Sequence, residues 1–255
     1  MNKLIRAEWI KFRTLRFNWS LVAFGLVLNI VLLVIGLIFF DQSLGSEAAA
    51  QTGPDERILA VLSPQSLLAS VIGVIAVLIM ASEYKSKTVI PSFAAAPIRS
   101  EVIAAKAFVA AAVALVVSAV ALVVDLAVGL PVMSNKGYPI EIGDDHFVQA
   151  AGGVLIYAAF FALFGLGLGI LLKNSVLSIT LIVAIPMVVE PALGGFLPDW
   201  IARYMPFAAG GALTAPGGTE QLSAWQGGGV LGLWAVGLLI AGGVVFERRD
   251  LGNTS

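Results

Sequence analysis

The sequence predicts an all-α, polytopic membrane protein. It has six transmembrane helices, an interface helix before the first span, and re-entrant helices between spans five and six. Three observations lead there. The 255 residues are 59% hydrophobic and 12% charged, against about a quarter charged in a soluble domain, so the chain cannot cover itself with polar surface. Uncharged runs recur, and about 20 such residues cross a hydrocarbon core of roughly 30 Å as a helix. The runs are continuously apolar rather than alternating, and lipid supplies no hydrogen-bond partners, which selects helices over a barrel. The 27 Gly and 11 Pro agree, both residues being commoner in membrane helices than in soluble ones. The absence of cysteine excludes disulfides, thiolate metal sites and cysteine nucleophiles.

Residues 1–17 form the first element. Leu4, Ile5, Trp9, Phe12 and Leu15 fall roughly on one helical face, with Lys3, Arg6 and Arg13 opposite, while Glu8 and Arg16 blur the stripe. This is the pattern of a helix held in the cytoplasmic interface by apolar burial and anionic lipid. Spans follow at about 18–40, 58–82, 107–124, 147–172, 174–189 and 225–246, in one transmembrane domain over 1–255. The first is a retained span despite Ala48-Ala49-Ala50 behind it, because the 23-residue run over 18–40 exceeds a signal-peptide core of about 7–15 residues. With both termini in the cytoplasm, twelve of the fifteen basic residues fall inside, and only Arg57, Lys136 and Arg203 fall outside. That is the asymmetry of a multi-pass inner-membrane protein.

Two connections are more than turns. Residues 83–106 join spans two and three, far longer than the usual helix connection of about 2–8 residues. The apolar middle of this segment lies between Pro91 and Pro97 and is flanked by charge, which suits a short helix presented to a cytoplasmic partner. The stretch from Pro191 to Pro206 is too apolar for a solvated loop and too broken to span. Short re-entrant or interfacial helices are expected there, with Trp200 and Tyr204 as aromatic anchors.

The chain is now recognisable. Glu83-Tyr84-x-x-x-Thr88, then Pro97-x-Arg99, then Ala104-Ala105-Lys106 entering an apolar helix, resembles the membrane-spanning permeases of the type-2 ABC exporter family. The charged ending Phe246-Glu247-Arg248-Arg249-Asp250-Leu251 does likewise, while Lys87 stands where the family usually carries Gly. The resemblance implies a permease subunit that dimerises as a homo- or heterodimer and docks a separate cytoplasmic ATPase on the coupling helix of 83–106. It implies that Glu83, Tyr84, Lys85, Thr88, Pro97 and Arg99 make that contact, and that spans two and five line the path of a lipophilic or amphipathic cargo such as a drug, antibiotic or peptide. ATP and Mg would be bound by the partner, with no cofactor in this chain.

The residues agree with a non-enzymatic subunit. No Gly-x-x-x-x-Gly-Lys-Ser/Thr cradle for ATP phosphates occurs, and a single histidine, His146, excludes a His-Glu-x-x-His zinc site. Asp144, Asp145 and His146, beside Glu141, read as a solvated acidic loop and not as a metal site. Asp125 and Glu190 fall near the outer ends of their spans and are expected within reach of headgroup water. Gly165 and Gly169 share a face of span four that allows close helix contact. Two other functional classes stay in view. An ion-coupled secondary transporter requires midplane charges or paired broken helices, and a non-transporting scaffold or assembly factor requires no signature.

Overall fold

The computed structural model describes residues 1–45, 49, 51–86, 99–214 and 222–250, and among them every regular element is helical. In order these are α1 (Asn2–Thr14), α2 (Arg16–Leu44), α3 (Pro54–Leu62), α4 (Gln65–Ser86), α5 (Arg99–Asn135), α6 (Asp145–Leu172) and α7 (Ser175–Ala184). A π-helical turn over Ile185–Val189 follows, then α8 (Glu190–Gly194), α9 (Asp199–Ala202), α10 (Pro206–Thr214) and α11 (Ala224–Asp250). Six stretches are long and apolar enough to cross a membrane: Arg16–Ser43, Glu56–Met80, Ser100–Asn135, Asp145–Leu172, Ser175–Gly194 and Ala224–Val245. The protein is a multi-pass membrane protein. The membrane side carrying the N-terminus is called near below, and the opposite side far.

α6 is the centre of the bundle and packs on α4, α5, α10 and α11. Its glycines are what let neighbouring backbones approach. A methyl at Gly165 would collide with the Gly73 carbonyl, one at Gly153 with the Leu213 carbonyl, and one at Gly169 would lie 3.1 Å from the Val77 carbonyl. Small residues bring membrane helices together in this way because dispersion, not water exclusion, drives their association. The face carrying Gly165 and Gly169 thus meets α4, as the sequence indicates.

The ends of the elements have local causes. Leu15 is extended (φ −81°, ψ 103°) and separates α1 from α2. The corner is pinned by Asn18 Nδ2 donating to the Phe12 carbonyl (3.2 Å) and Trp19 Nε1 to that of Arg13 (3.1 Å). α6 begins at Asp144, whose side chain accepts from the Asp145 amide, and stops at the left-handed Lys173 (φ 53°). Asn174 then caps α7 through the Leu177 amide. On the far side Lys136 pairs with Asp41 at 2.7 Å, and Arg57 donates to the Pro139 carbonyl while standing over the Tyr138 ring. Asp144 therefore serves as a helix cap.

Span two is broken, which the sequence reading leaves out. Pro64 has no amide to donate and its ring crowds the carbonyl four residues back, that of Ala60. The Ser63 hydroxyl takes over that carbonyl at 3.1 Å, and α4 restarts at Gln65. Span five is irregular at Pro186. There the π-helical turn inserts an extra residue, and the Glu190 amide bonds back to the Ile185 carbonyl. Each added residue turns the following face by about 100°.

Candidate functional site

The two irregular spans face one cavity of about 610 Å³ toward the far side. Ser66, Leu67 and Ser70 of α4 line one wall, just past the Ser63–Pro64 break, and Pro186, Met187 and Glu190 line the other at the π turn. Tyr157 of α6 and Arg203, Met205 and Phe207 of the short helical segment complete it. The lining mixes thioether, aromatic and hydroxyl groups with two carboxylates, Glu190 and Asp199, and one guanidinium. Such a wall suits a ligand with an apolar body and a polar end.

Glu190 shapes this wall. The residue is 7% exposed, and its carboxylate accepts from the amides of Phe207 (3.0 Å) and Ala208 (2.8 Å) at the start of α10. The first amides of a helix have no partner within it, and an acidic group there satisfies them and complements the helix dipole. Phe207 in turn packs between Phe161 and Phe164, with ring centroids 4.5 and 5.0 Å away. The short helix α10 is thus fixed to span four by an aromatic wedge and to span five by a carboxylate. The sequence reading puts Glu190 within reach of headgroup water; the structure places it on the wall of the far-side cavity, little exposed, with its carboxylate turned onto the start of α10.

Asp125 departs further from its expected place. It is fully buried, with Asn29 Nδ2 at 2.6 Å from one oxygen and Gln65 Nε2 at 3.0 Å from the other. The Ser118 hydroxyl donates to Gln65 Oε1 at 2.7 Å. Counting residues from the end of a span gave a water-accessible position; packing of α2, α4 and α6 around this part of α5 removes the water. Asn29, Gln65 and Ser118 are polar residues inside apolar runs, the signal by which the network is found.

At the near end Glu8 of α1 is 6% exposed and bonds Lys106 of α5 at 2.6 Å, Lys106 being fully buried, and also Lys11 at 2.7 Å. In the amphipathic reading Glu8 only blurs the apolar stripe. In the fold it joins α1 to the stretch that leaves the 83–106 segment. Of the residues expected to meet an ATPase, Glu83, Tyr84 and Lys85 lie in the last turns of α4 and Arg99 opens α5. Thr88 and Pro97 lie outside the described residues.

A family model described as ABC-2 family transporter protein matches residues 4–189, from α1 into the π turn of span five. The chain belongs to the ABC-2 transporter family. Among curated proteins and solved structures none matches it. As an ABC-2 membrane domain it is a permease of an ABC transporter, and its match covers α1, the segment over 83–106, the cavity's α4 wall, and the start of its span-five wall as far as Val189.

Proposed function

We propose that the protein is the membrane half of an ATP-driven exporter, oriented with its near side in the cytoplasm. It pairs with a second permease subunit, takes its energy from a separate cytoplasmic ATPase docked on 83–106, and releases a lipophilic or amphipathic cargo on the far side. The carrying observation is the 610 Å³ cavity between the broken span two and the π-bulged span five, the spans that the family resemblance assigns to the cargo path. Helix irregularities at a cavity are where backbone geometry changes at least cost. Span two runs from this cavity to the start of the 83–106 segment, so a push at one end of α4 reaches the wall at the other. ATP shifts such an equilibrium only by binding the partner's closed state better than its open one. α1 and the short helices α8 to α10 would then be the interface and re-entrant helices.

Copurification tests the partner and transport tests the coupling. The permease, solubilised with the products of its neighbouring genes, is expected to bring down a P-loop ATPase. Glu83→Ala and Arg99→Ala are expected to lower ATP-dependent efflux of a lipophilic dye or peptide antibiotic at least tenfold at unchanged permease abundance. Unaltered efflux in both variants contradicts the docking residues, and failure of any ATPase to copurify favours a scaffold.

A further inference from the structure

Asp125 poses a problem of charge that the export reading does not use. No part of it is exposed, and among the described residues its hydrogen-bond partners are the amides of Asn29 and Gln65, with no salt bridge to it. The charged groups on the surrounding helices lie elsewhere or are engaged. Arg16 and Asp41 stand toward the two ends of α2, Glu101 and Lys106 near the start of α5, and Asp145 and His146 in the first turn of α6. Glu56 and Arg57 belong to α3, on the other side of the Ser63–Pro64 break from Gln65, with Arg57 held by Pro139 and Tyr138. Glu83 and Lys85 sit at the opposite end of α4 from Gln65, and Tyr157 lines the cavities. An ionised carboxylate sealed away from water among membrane helices without a cation is strongly disfavoured.

Two further observations meet at the same atoms. Asn29 is 2% exposed, yet its Oδ1 is buried with no donor. Its amide stands 2.6 Å from Asp125 Oδ1, a separation that either an N–H or an O–H donor can span. An amide presents oxygen or nitrogen at one place by a half-turn of its last torsion. With the oxygen turned toward Asp125, a carboxylic acid O–H donates to it at this separation and Nδ2 takes the place the oxygen leaves. Gln65 still donates to the other Asp125 oxygen.

We propose that Asn29, Gln65 and Asp125 form a proton-binding site within the membrane domain, Asp125 carrying the proton and donating it in a hydrogen bond to Asn29 Oδ1. The way in is Gln65. It lines a second cavity of about 250 Å³ with Ser63, Ser66, Tyr157 and Thr214, which shares Ser66 and Tyr157 with the larger one. Gln65 is also the residue at which α4 restarts after the Ser63–Pro64 break, so movement at the break and protonation of Asp125 are linked. The ligand is a proton taken from the far side, whatever the cargo.

Infrared spectroscopy of the full chain in lipid nanodiscs tests this. At neutral pH the wild type is expected to show a protonated-carboxyl carbonyl band that shifts in deuterated water, shifts with carboxyl-¹³C aspartate, and disappears in Asp125→Asn. Should that variant fail to fold, Asn29→Ala provides the second reading, displacing the band by removing its acceptor. A carboxylate band alone at neutral pH overturns the proposal. So does loss of the carbonyl band on adding sodium at fixed pH, which identifies a metal-cation site instead.

Discussion

Glu190 and the glycines of α6 show how single residues set the far-side wall. The Glu190 carboxylate accepts two amides from α10, and charge-assisted bonds of this kind contribute about 1.5–3 kcal/mol each. In Glu190→Gln one oxygen becomes a donor facing a donor. The amides of Phe207 and Ala208 are then expected to exchange with deuterium roughly tenfold faster, as about 1.4 kcal/mol of local stability is lost; unchanged protection would show that α10 is held by Phe207 alone. Gly165→Val puts a branched side chain against the Gly73 carbonyl. Overpacking of this kind costs about 1–3 kcal/mol, so a lower melting temperature in detergent is expected, whereas Gly152→Val, with open space around it, should leave the melt unchanged. The role of Gly165 was legible from its spacing with Gly169. That of Glu190 was not, because its partners are backbone amides 17 and 18 residues away and backbone groups leave no trace in sequence.

At the scale of elements, the six apolar runs over which charge is absent became six membrane-length helices, since a hydropathy signal of this strength has no competitor in lipid. What composition hid were the two interruptions. Pro64 and Pro186 were visible as residues, but whether proline kinks, breaks or induces a π turn depends on who takes the freed carbonyl, and Ser63 does so only in one case. The join between α1 and α5 was hidden for another reason. Glu8 looked like an error in an amphipathic stripe and Lys106 like the last residue of a motif entering span three, and only their 2.6 Å contact makes them one feature. Glu8→Leu takes from buried Lys106 the carboxylate it bonds, and Lys106→Met leaves Glu8 with Lys11 as its cation; breaking a buried ion pair costs up to about 3–5 kcal/mol, whereas replacing both members with apolar residues is often neutral. Glu8→Leu and Lys106→Met are each expected to lower thermal stability sharply and the double variant to recover most of it. Additive losses would contradict a coupled pair.

For the whole molecule, the proposed function has span two join a cavity on one side to an energy source on the other. Residues that narrow the cavity should stop transport without loosening the partner. Ser70→Trp is expected to reduce efflux at least tenfold while copurification of the ATPase persists, and loss of both together would place the effect in folding. The central claim is that a separate ATPase docks on the segment over 83–106. The chain has no cysteine, so a single introduced thiol reports one position without background. Thr88→Cys, carrying a bifunctional crosslinker in native membranes, is the most direct measurement, with Ile142→Cys on the exposed far-side loop as its counterpart. The account predicts a crosslink from position 88 to a P-loop ATPase and none from position 142. Capture of no ATPase at 88, or capture of one at 142, would contradict it.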